Sequence, residues 1–334
     1  MIQILINLPA WLVILAGGAV VGAAFAPGAG RTRIVAILGA LAGGAVGLLV
    51  GWRMGWLDQE IPVRWYGTMI VAGVLLGIVL ARRRAPLLGI DPNACIDVGM
   101  LGAIGGVIGA RLFHVVQFWE HYNFLGPRGF EAFLDIFRVW QGGLVFYGAF
   151  AAVIPLATWY CWRNKIPMLP FLDVAAPCLI AGLAIGRLGC FTRGCCYGKE
   201  CAAPWALQFP PGSDAYQAYM GEETLLAMPA VHPTQLYAAM GAALAAAFLY
   251  TYWPRRRFDG EVLGLMLILA GVTRFFEELL RKDVPAGIPA LSHWVTIAQW
   301  VGMLVIFLGA ACFMYFSQRR TLYVPAPATR STEQ

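Results

Sequence analysis

Residues 172–191 read LDVAAPCLIAGLAIGRLGCF, and this stretch decides the fold. Its 20 residues are apolar or small, apart from Asp173 near the start and Arg187 near the end. About 20 apolar residues are enough for an α-helix to cross the hydrocarbon core of a bilayer. The stretch therefore predicts a membrane-spanning helix that carries a charged side chain inside it.

Similar apolar stretches recur along the chain. Of the 334 residues, 60% are hydrophobic and 13% are charged, whereas soluble proteins carry about 25% charged residues. A backbone in lipid must satisfy its own hydrogen bonds, which favours helices. The predicted fold class is therefore an all-α integral membrane protein with about nine transmembrane helices. The predicted spans are 5–26, 34–52, 65–81, 95–118, 140–161, 172–191, 232–252, 262–280 and 295–316.

The spans predict a division of the chain into three parts. Residues 1–56 form an N-terminal two-helix extension, residues 57–318 form a seven-helix core, and residues 319–334 form a disordered cytoplasmic tail. The loop 192–231 within the core contains Pro204, Trp205 and Phe209. Because it is so apolar and aromatic, we expect it to fold as a small cap.

Basic residues concentrate in the loops that follow the odd-numbered spans, for example at 82–84 and 255–257. Short loops rich in Lys and Arg remain in the cytoplasm. This bias predicts a multi-pass membrane protein with its N-terminus outside and its C-terminus in the cytoplasm. The net charge of +6 then reflects topology and not a nucleic-acid-binding surface, and the cap loop 192–231 is extracytoplasmic.

Three arginines lie inside or at the edge of apolar spans: Arg111, Arg187 and Arg274. A charge in hydrocarbon is costly unless it is paired or hydrated, so each is a candidate functional residue. The alternative is an ion pair that only locks helices together. Arg274 and Glu278 are four residues apart, which places them on one face of a helix.

The predicted topology brings several polar residues to one depth. Arg187 lies near the outer end of span six, and Arg274 and Glu278 lie in the outer half of span eight. His232 and Tyr237 lie where span seven begins, at the same level. Two arginines suit a lipid phosphate, which they bind through charge-assisted bidentate hydrogen bonds. The residues alone thus predict a lipid-phosphate site toward the outer leaflet.

Seven motifs, taken in order over about residues 60–320, resemble those of the prolipoprotein diacylglyceryl transferase family. The most characteristic is Gly186-Arg187-Leu188-Gly189, which is similar to the start of the family signature G-R-I/L-G-N-F. The other six are Arg64-Trp65-Tyr66-Gly67, Gly109-Ala110-Arg111-Leu112, Gly142-Gly143-Leu144-Val145-Phe146-Tyr147-Gly148, Pro204-Trp205 with Phe209-Pro210, His232-Pro233-Thr234-Gln235-Leu236-Tyr237, and Arg274-Phe275-Phe276-Glu277-Glu278 with Arg281 and Asp283.

The resemblance implies a phosphatidylglycerol–prolipoprotein diacylglyceryl transferase of the bacterial cytoplasmic (inner) membrane. In such a reaction a diacylglyceryl group passes from phosphatidylglycerol to the lipobox cysteine in the signal peptide of a prolipoprotein, and glycerol phosphate leaves. Negative charge that develops on the phosphate must be stabilised. The acceptor thiol must lose its proton, because the thiolate is the nucleophile. The resemblance implies no metal and no organic cofactor.

The resemblance also implies which residues form the site. Arg187 and Arg274 would stabilise the phosphate, and Glu278 would serve as a base or orient Arg274. Tyr147 stands at a catalytic position. The implied substrate-binding residues are Tyr66, Arg111, Gly143, Gly148, His232, Gln235 and Tyr237. For His232 the alternative is a purely local role, since a His-Pro pair also suits the start of a helix.

The chain departs from the family pattern at several polar positions. Tyr147 replaces a histidine, and a tyrosine with a pKa of about 10 is a poorer base at neutral pH. Cys190 replaces the signature asparagine, while Cys195 and Ala238 each replace a glutamate. Two alternatives therefore remain open: a paralogue that uses another acceptor or lipid donor, and a non-enzymatic lipid-binding or transport protein of the membrane.

Four cysteines follow the pattern C-x4-C-C-x4-C at residues 190, 195, 196 and 201. An extracytoplasmic compartment permits disulfides, so a bridge from Cys195 or Cys196 to Cys201 is one interpretation. Free structural thiols, a metal site and a catalytic thiol are the alternatives. The spacing does not match the usual patterns of zinc sites.

Overall fold

The computed structural model describes residues 6–9, 60–63, 65–122, 129–138, 142–221, 227–282, 295–319 and 321–323. Most of the predicted N-terminal extension, and the predicted tail beyond residue 323, lie outside the described residues.

Within the described residues, seven helices of 18 or more residues coincide with the predicted spans three to nine. They are α1 (Trp65–Arg84), α2 (Pro92–Gln117), α5 (Phe146–Arg163), α6 (Met168–Arg193), α8 (Thr234–Tyr252), α9 (Glu261–Leu280) and α10 (Ile297–Arg319). The shorter α-helices are α3 (Trp119–Tyr122), α4 (Gly129–Asp135) and α7 (Asp214–Met220), and 3₁₀ turns occupy Ala85–Leu88 and Trp253–Arg255.

Among the described residues, five helical segments are long and apolar enough to cross a membrane: Trp65–Leu88, Pro92–Gln117, Met168–Arg193, Thr234–Arg255 and Ile297–Arg319. Helix α9 is also largely apolar, but its last two turns carry Arg274, Glu277 and Glu278. The predicted class, an all-α membrane protein, is confirmed by these helices.

Two short strands interrupt the helical pattern before α1. Strand β1 (Ile6–Pro9) pairs antiparallel with β2 (Glu60–Val63), with Ile6 opposite Val63 and Pro9 opposite Glu60. The prediction of a helix that begins at residue 5 is therefore wrong for residues 6–9. Pro9 explains the difference, because the residue before a proline avoids the α conformation and proline has no N–H to donate.

The described chain divides into two compact units. The first comprises Met1–Val71, Gly186–Leu236 and Arg281–Asp283. The second comprises Ala72–Ile185, Tyr237–Leu280 and Val284–Gln334.

Helices α9 and α10 of the second unit pack through glycines spaced seven residues apart. A Cβ atom added at Gly271 would lie 2.7 Å from the carbonyl oxygen of Gly302. One added at Gly309 would lie 2.9 Å from the carbonyl oxygen of Gly264. Small residues let helices in membranes approach to backbone contact. The two glycine pairs thus define an antiparallel contact between α9 and α10.

Asp173 holds the start of helix α9 in the second unit. Its side chain is fully buried and accepts hydrogen bonds from the backbone N–H of Gly260 (2.8 Å) and of Leu263 (2.9 Å). The guanidinium of Arg256 lies 3.9 Å from the same carboxylate. The first N–H groups of a helix have no partner within the helix, so this carboxylate satisfies two donors that would otherwise be buried unpaired.

The first unit has a small core of its own. Buried side chains come from the segment that the sequence predicts as a cap, and Tyr219 and Val231 among them are fully buried. The Tyr219 hydroxyl donates to the carbonyl of Gly198 (3.3 Å), and the ammonium of Lys282 lies 3.7 Å from the centre of the Tyr219 ring. The segment is therefore folded, while its extracytoplasmic position stays a prediction.

Candidate active site

Arg187 lies in the first unit, within the last two turns of α6. Its side chain is partly buried. Two residues later, Gly189 faces the start of α1, where an added Cβ would lie 3.1 Å from the Cβ of Met69 and 3.3 Å from the carbonyl oxygen of Tyr66. A small residue at position 189 therefore brings Tyr66 close to the helix turn that carries Arg187.

A turn that contains Cys195 and Cys196, here called the two-cysteine turn, follows the end of α6. Gly194 (φ +77°) and Cys196 (φ +59°) both adopt the left-handed conformation, which is uncommon for a residue with a side chain. The turn brings the sulfur atoms of Cys195 and Cys196 back to Cys190, and all three lie within 4.8 Å of one another. Each of the three is a free cysteine, as is Cys201.

The neighbours of Cys196 lower the pKa of its thiol. Hydrogen bonds from the thiols of Cys190 and Cys195 lower its pKa, and the guanidinium groups of Arg281 and Arg187 lower it further because they attract negative charge. The same hydrogen-bond network raises the pKa of Cys195. Two guanidinium groups thus act as positive neighbours of Cys196.

Buried side chains at the start of α8 hold this turn. The amide nitrogen of Gln235 donates to the carbonyl of Cys195 (2.7 Å), and the hydroxyl of Thr234 donates to the carbonyl of Cys196 (2.6 Å). Both side chains are fully buried. Oε1 of Gln235 has no hydrogen-bond partner among the described residues. Gln235 therefore positions the turn, and its implied contact with substrate stays a prediction.

His232 lies on a short paired segment that precedes α8. Its backbone N–H donates to the carbonyl of Lys199 (3.0 Å), and its carbonyl accepts from the N–H of Gly198 (3.1 Å). Gly198 also bridges to Arg281. Three separate segments, at residues 198–199, 232 and 281, thus meet beside the two-cysteine turn. The side chain of His232 is partly buried.

Arg111 lies in the second unit and is 6% exposed. Its Nε donates to the carbonyl of Ile136 (2.9 Å), and one terminal nitrogen donates to the carbonyls of Gly142 (2.8 Å) and Gly143 (3.1 Å). The other terminal nitrogen donates to the carbonyl of Asp135. The guanidinium therefore holds Asp135, Ile136, Gly142 and Gly143 against α2. The role is structural, but it works through backbone carbonyls and not through the ion pair that was the alternative, and the implied role in substrate binding stays a prediction.

Gly143 and Gly148 lie near Arg111 at positions where a larger side chain would not fit. Gly143 has φ +71°, and an added Cβ would lie 2.5 Å from a terminal nitrogen of Arg111. A Cβ at Gly148 would lie 2.4 Å from the carbonyl oxygen of Gly109, so this glycine lets α5 contact α2. Tyr147, between them in the first turn of α5, is 57% exposed.

Arg274 and Glu278 form the pair expected from their spacing. The nearest nitrogen and oxygen are 2.8 Å apart, and the side chains are 29% and 1% exposed. Oε2 of Glu278, the oxygen nearest to Arg274, has no hydrogen-bond partner among the described residues, so the contact is electrostatic. Tyr237, also in the second unit, is partly buried in the first turn of α8.

A capping box, which we did not infer from the sequence, supports Glu278. The hydroxyl of Thr296 donates to Oε1 of Glu278 (3.0 Å) and accepts from the N–H of Gln299 (3.2 Å). Oε1 of Gln299 in turn accepts from the N–H of Thr296 (3.0 Å). The signal was present, because Thr-x-x-Gln before an apolar run is a recognised helix start. The start of α10 thus orients the acid that pairs with Arg274.

The implied site residues divide between the two units. The first unit contains Tyr66, Arg187, His232 and Gln235. The second contains Arg111, Gly143, Tyr147, Gly148, Tyr237, Arg274 and Glu278. The expectation that members of both sets meet at one depth stays a prediction.

Comparison with known proteins agrees with the motifs. A family profile described as prolipoprotein diacylglyceryl transferase matches residues 54–315, more than three quarters of the chain. Proteins named phosphatidylglycerol–prolipoprotein diacylglyceryl transferase are similar to it. One from Burkholderia thailandensis is 33% identical over 281 residues, which cover 78% of this chain and 92% of that protein. One from Burkholderia ambifaria is 32% identical over 288 residues, covering 80% and 95%. The chain therefore belongs to the prolipoprotein diacylglyceryl transferase family, and it is a membrane transferase.

Proposed function

We propose that this protein transfers a diacylglyceryl group from phosphatidylglycerol to the lipobox cysteine of prolipoproteins and releases glycerol phosphate. The observation that carries the proposal is the family match over residues 54–315, which includes Arg187 in an apolar helix. The names of the similar proteins state the same donor and acceptor. An arginine in such a helix is costly in lipid and suits a bound phosphate.

The reaction joins a thiolate to a lipid carbon. The acceptor thiol gives its proton to a base, and its sulfur attacks the glycerol carbon that bears the phosphate ester. A C–S bond forms, the C–O bond breaks, and the electron pair of that bond moves to the phosphate oxygen. Arg187 stabilises the charge that grows on the departing phosphate, a contribution that is largest in the transition state.

Arg274 supplies the second guanidinium, and Glu278 acts through it. The buried carboxylate lies 2.8 Å from Arg274 and accepts a hydrogen bond from Thr296. Both of its oxygen atoms therefore face groups that hold it in place. We assign Glu278 the role of positioning Arg274 and not that of the base.

The reaction takes place in the bacterial inner membrane, which the chain crosses several times. The basic loops at 82–84 and 255–257 support a cytoplasmic C-terminus and an N-terminus outside. The phosphate site then opens toward the outer leaflet, where signal peptides of exported prolipoproteins emerge.

The wild-type protein is expected to transfer label in a defined assay. Full-length protein in nanodiscs receives phosphatidylglycerol labelled in its acyl chains and a lipobox peptide, and label on the peptide thiol is measured. A peptide with serine in place of the cysteine is the matched control, and labelled phosphatidylethanolamine is the control donor. Label on the cysteine peptide from phosphatidylglycerol alone supports the proposal.

Transfer from the other donor only would instead support a paralogue that uses another lipid, a reading favoured by Cys190 and Cys195 in place of family polar residues. Absence of transfer from either donor to any lipobox peptide would contradict the proposed function.

The Glu278→Gln variant is expected to retain measurable transfer. Glutamine keeps an oxygen that accepts the hydrogen bond from Thr296, but it removes the negative charge opposite Arg274, so the guanidinium is held less firmly. A loss of about 1.4 kcal/mol, or tenfold in kcat/KM, follows. The Glu278→Ala variant should lose more, because it also removes the oxygen that accepts from Thr296 and leaves Arg274 with Glu277, at 3.7 Å, as its acidic neighbour.

Kinetics of both variants across pH test this assignment. If Glu278 were the base, Glu278→Gln would be as inactive as Glu278→Ala and the acidic limb of the pH profile would disappear. A base contributes about 10²–10⁴-fold, so the two outcomes are well separated.

A further inference from the structure

The cluster of Cys190, Cys195 and Cys196 has the dimensions of a metal site. Its three sulfur atoms lie within 4.8 Å of one another. A cation with metal–sulfur bonds of about 2.3 Å needs sulfur atoms about 3.8–4.0 Å apart, depending on whether its geometry is tetrahedral or trigonal. The upper limit of 4.8 Å is less than 1 Å above the roughly 4.0 Å of the trigonal geometry.

The backbone holds the cluster in place before any ligand binds. Cys190 is fixed in the last turn of α6, and the left-handed residues Gly194 and Cys196 reverse the chain. A left-handed cysteine is costly and persists only where its surroundings hold it. Here Gln235 and Thr234, both fully buried, grip the carbonyls of the two consecutive cysteines.

The surroundings also suit the charge of such a site. Three thiolates around a monovalent or divalent cation leave an excess of negative charge. Arg187 and Arg281 act on Cys196 as positive neighbours and offset this excess. The unpartnered, fully buried Oε1 of Gln235 is a further polar atom at the edge of the cluster.

We propose that Cys190, Cys195 and Cys196 form a three-sulfur site for a thiophilic d10 cation, Cu(I) or Zn(II). Soft thiolate ligands select these ions over hard cations. The described residues supply three ligands, so a Zn(II) ion would take a water molecule as its fourth ligand and a Cu(I) ion would be trigonal. Each thiol that binds releases its proton to solvent.

The alternative to a metal is a disulfide. A disulfide between any two of these cysteines would leave the third as a free thiol. Two of the three, Cys195 and Cys196, are consecutive in the sequence. All three are free in the structure. A cation bound by all three sulfur atoms explains why they converge, whereas a single disulfide would involve two of them.

Metal retention by the full-length protein tests the site. Protein in detergent is reduced, freed of metal and desalted without oxygen, then given Zn²⁺ or Cu⁺ and passed through a desalting column. Bound metal is measured by mass spectrometry. Wild type is expected to retain one equivalent of at least one of the two cations. Loss of an outer-shell partner alone costs about 10–100-fold in metal affinity, so Cys190→Ser, Cys195→Ser and Cys196→Ser, which each remove a ligand, should retain far less than one equivalent.

Cys201→Ser is the matched control, since this nearby cysteine lies outside the cluster and should leave metal binding unchanged. Gel filtration checks that every variant remains folded. Retention of neither cation by wild type would overturn the proposal, as would equal retention by Cys196→Ser. An intact mass lower by two hydrogens before reduction, lost in the cluster variants, would show a disulfide there and would also overturn it. The readout is bound metal and is independent of transfer activity.

Discussion

Replacing Arg187 with alanine is expected to lower kcat/KM for diacylglyceryl transfer by about 10²–10³-fold, the loss typical of one charge-stabilising donor. The side chain lies partly buried in the last turns of an apolar helix, where water screens its charge poorly. It contributes most when the phosphate gains charge, so kcat should fall along with kcat/KM. The transfer assay with labelled phosphatidylglycerol measures both.

Arg255→Ala is the control at an exposed arginine. The guanidinium of Arg255 donates to the carbonyl of Thr251 (3.0 Å) at the end of α8, and an exposed contact of this kind contributes little. Its transfer rate should stay near that of wild type. Arg187→Lys should fall between the two, because lysine keeps the charge but not the bidentate geometry. If the Arg187→Ala variant kept wild-type activity, the proposed role of Arg187 in stabilising the phosphate would be contradicted.

The Gly271→Ala substitution is expected to destabilise the second unit by about 1–3 kcal/mol, the usual effect of overpacking. The new methyl group would lie 2.7 Å from the carbonyl oxygen of Gly302 and 2.6 Å from a side-chain carbon of Ile306. A backbone atom cannot rotate away, so α9 and α10 must separate. Thermal unfolding in detergent, followed by the loss of monodisperse protein, measures the effect as a lower Tm.

Gly102→Ala is the matched control in the interior of another long helix. There the nearest atom to an added Cβ is a side-chain carbon of Val153 at 3.7 Å, which is ordinary contact. Alanine is the better helix former by about 1 kcal/mol, so the variant should be as stable as wild type or slightly more stable. Equal Tm values for the two variants would contradict the close contact of α9 with α10.

Several features of the fold were predictable because their causes are local. Apolar length predicted all seven long helices that the described residues contain, since a chain in lipid has few alternatives to a helix. The spacing of Arg274 and Glu278 predicted their pairing, because residues four apart meet on a helix. The start of α5 was less well predicted: it begins at Phe146 and not near residue 140, since Gly142 and Gly143 have positive φ.

Other features depend on contacts that no local pattern encodes. Arg111 was singled out as a charge in an apolar span, but its carbonyl partners lie 24 to 32 residues further along the chain. The side chain of Gln235 donates a hydrogen bond to the carbonyl of Cys195, which lies 40 residues earlier in the chain. The spacing of the cysteines argued against a metal site, and only the left-handed turn at Cys196 brings their sulfur atoms together.

The sequence by itself determined that this chain is a helical membrane protein of the prolipoprotein diacylglyceryl transferase family, because hydrophobic length, intramembrane charge and ordered motifs are all properties of short segments. Only the tertiary structure decided what surrounds each charge. It gave Arg111 four carbonyl partners, Glu278 the hydroxyl of Thr296, and Arg187 a neighbouring cluster of thiols. The physical reason is that a buried polar group takes whichever partner folding brings to it, however distant that partner is in the sequence.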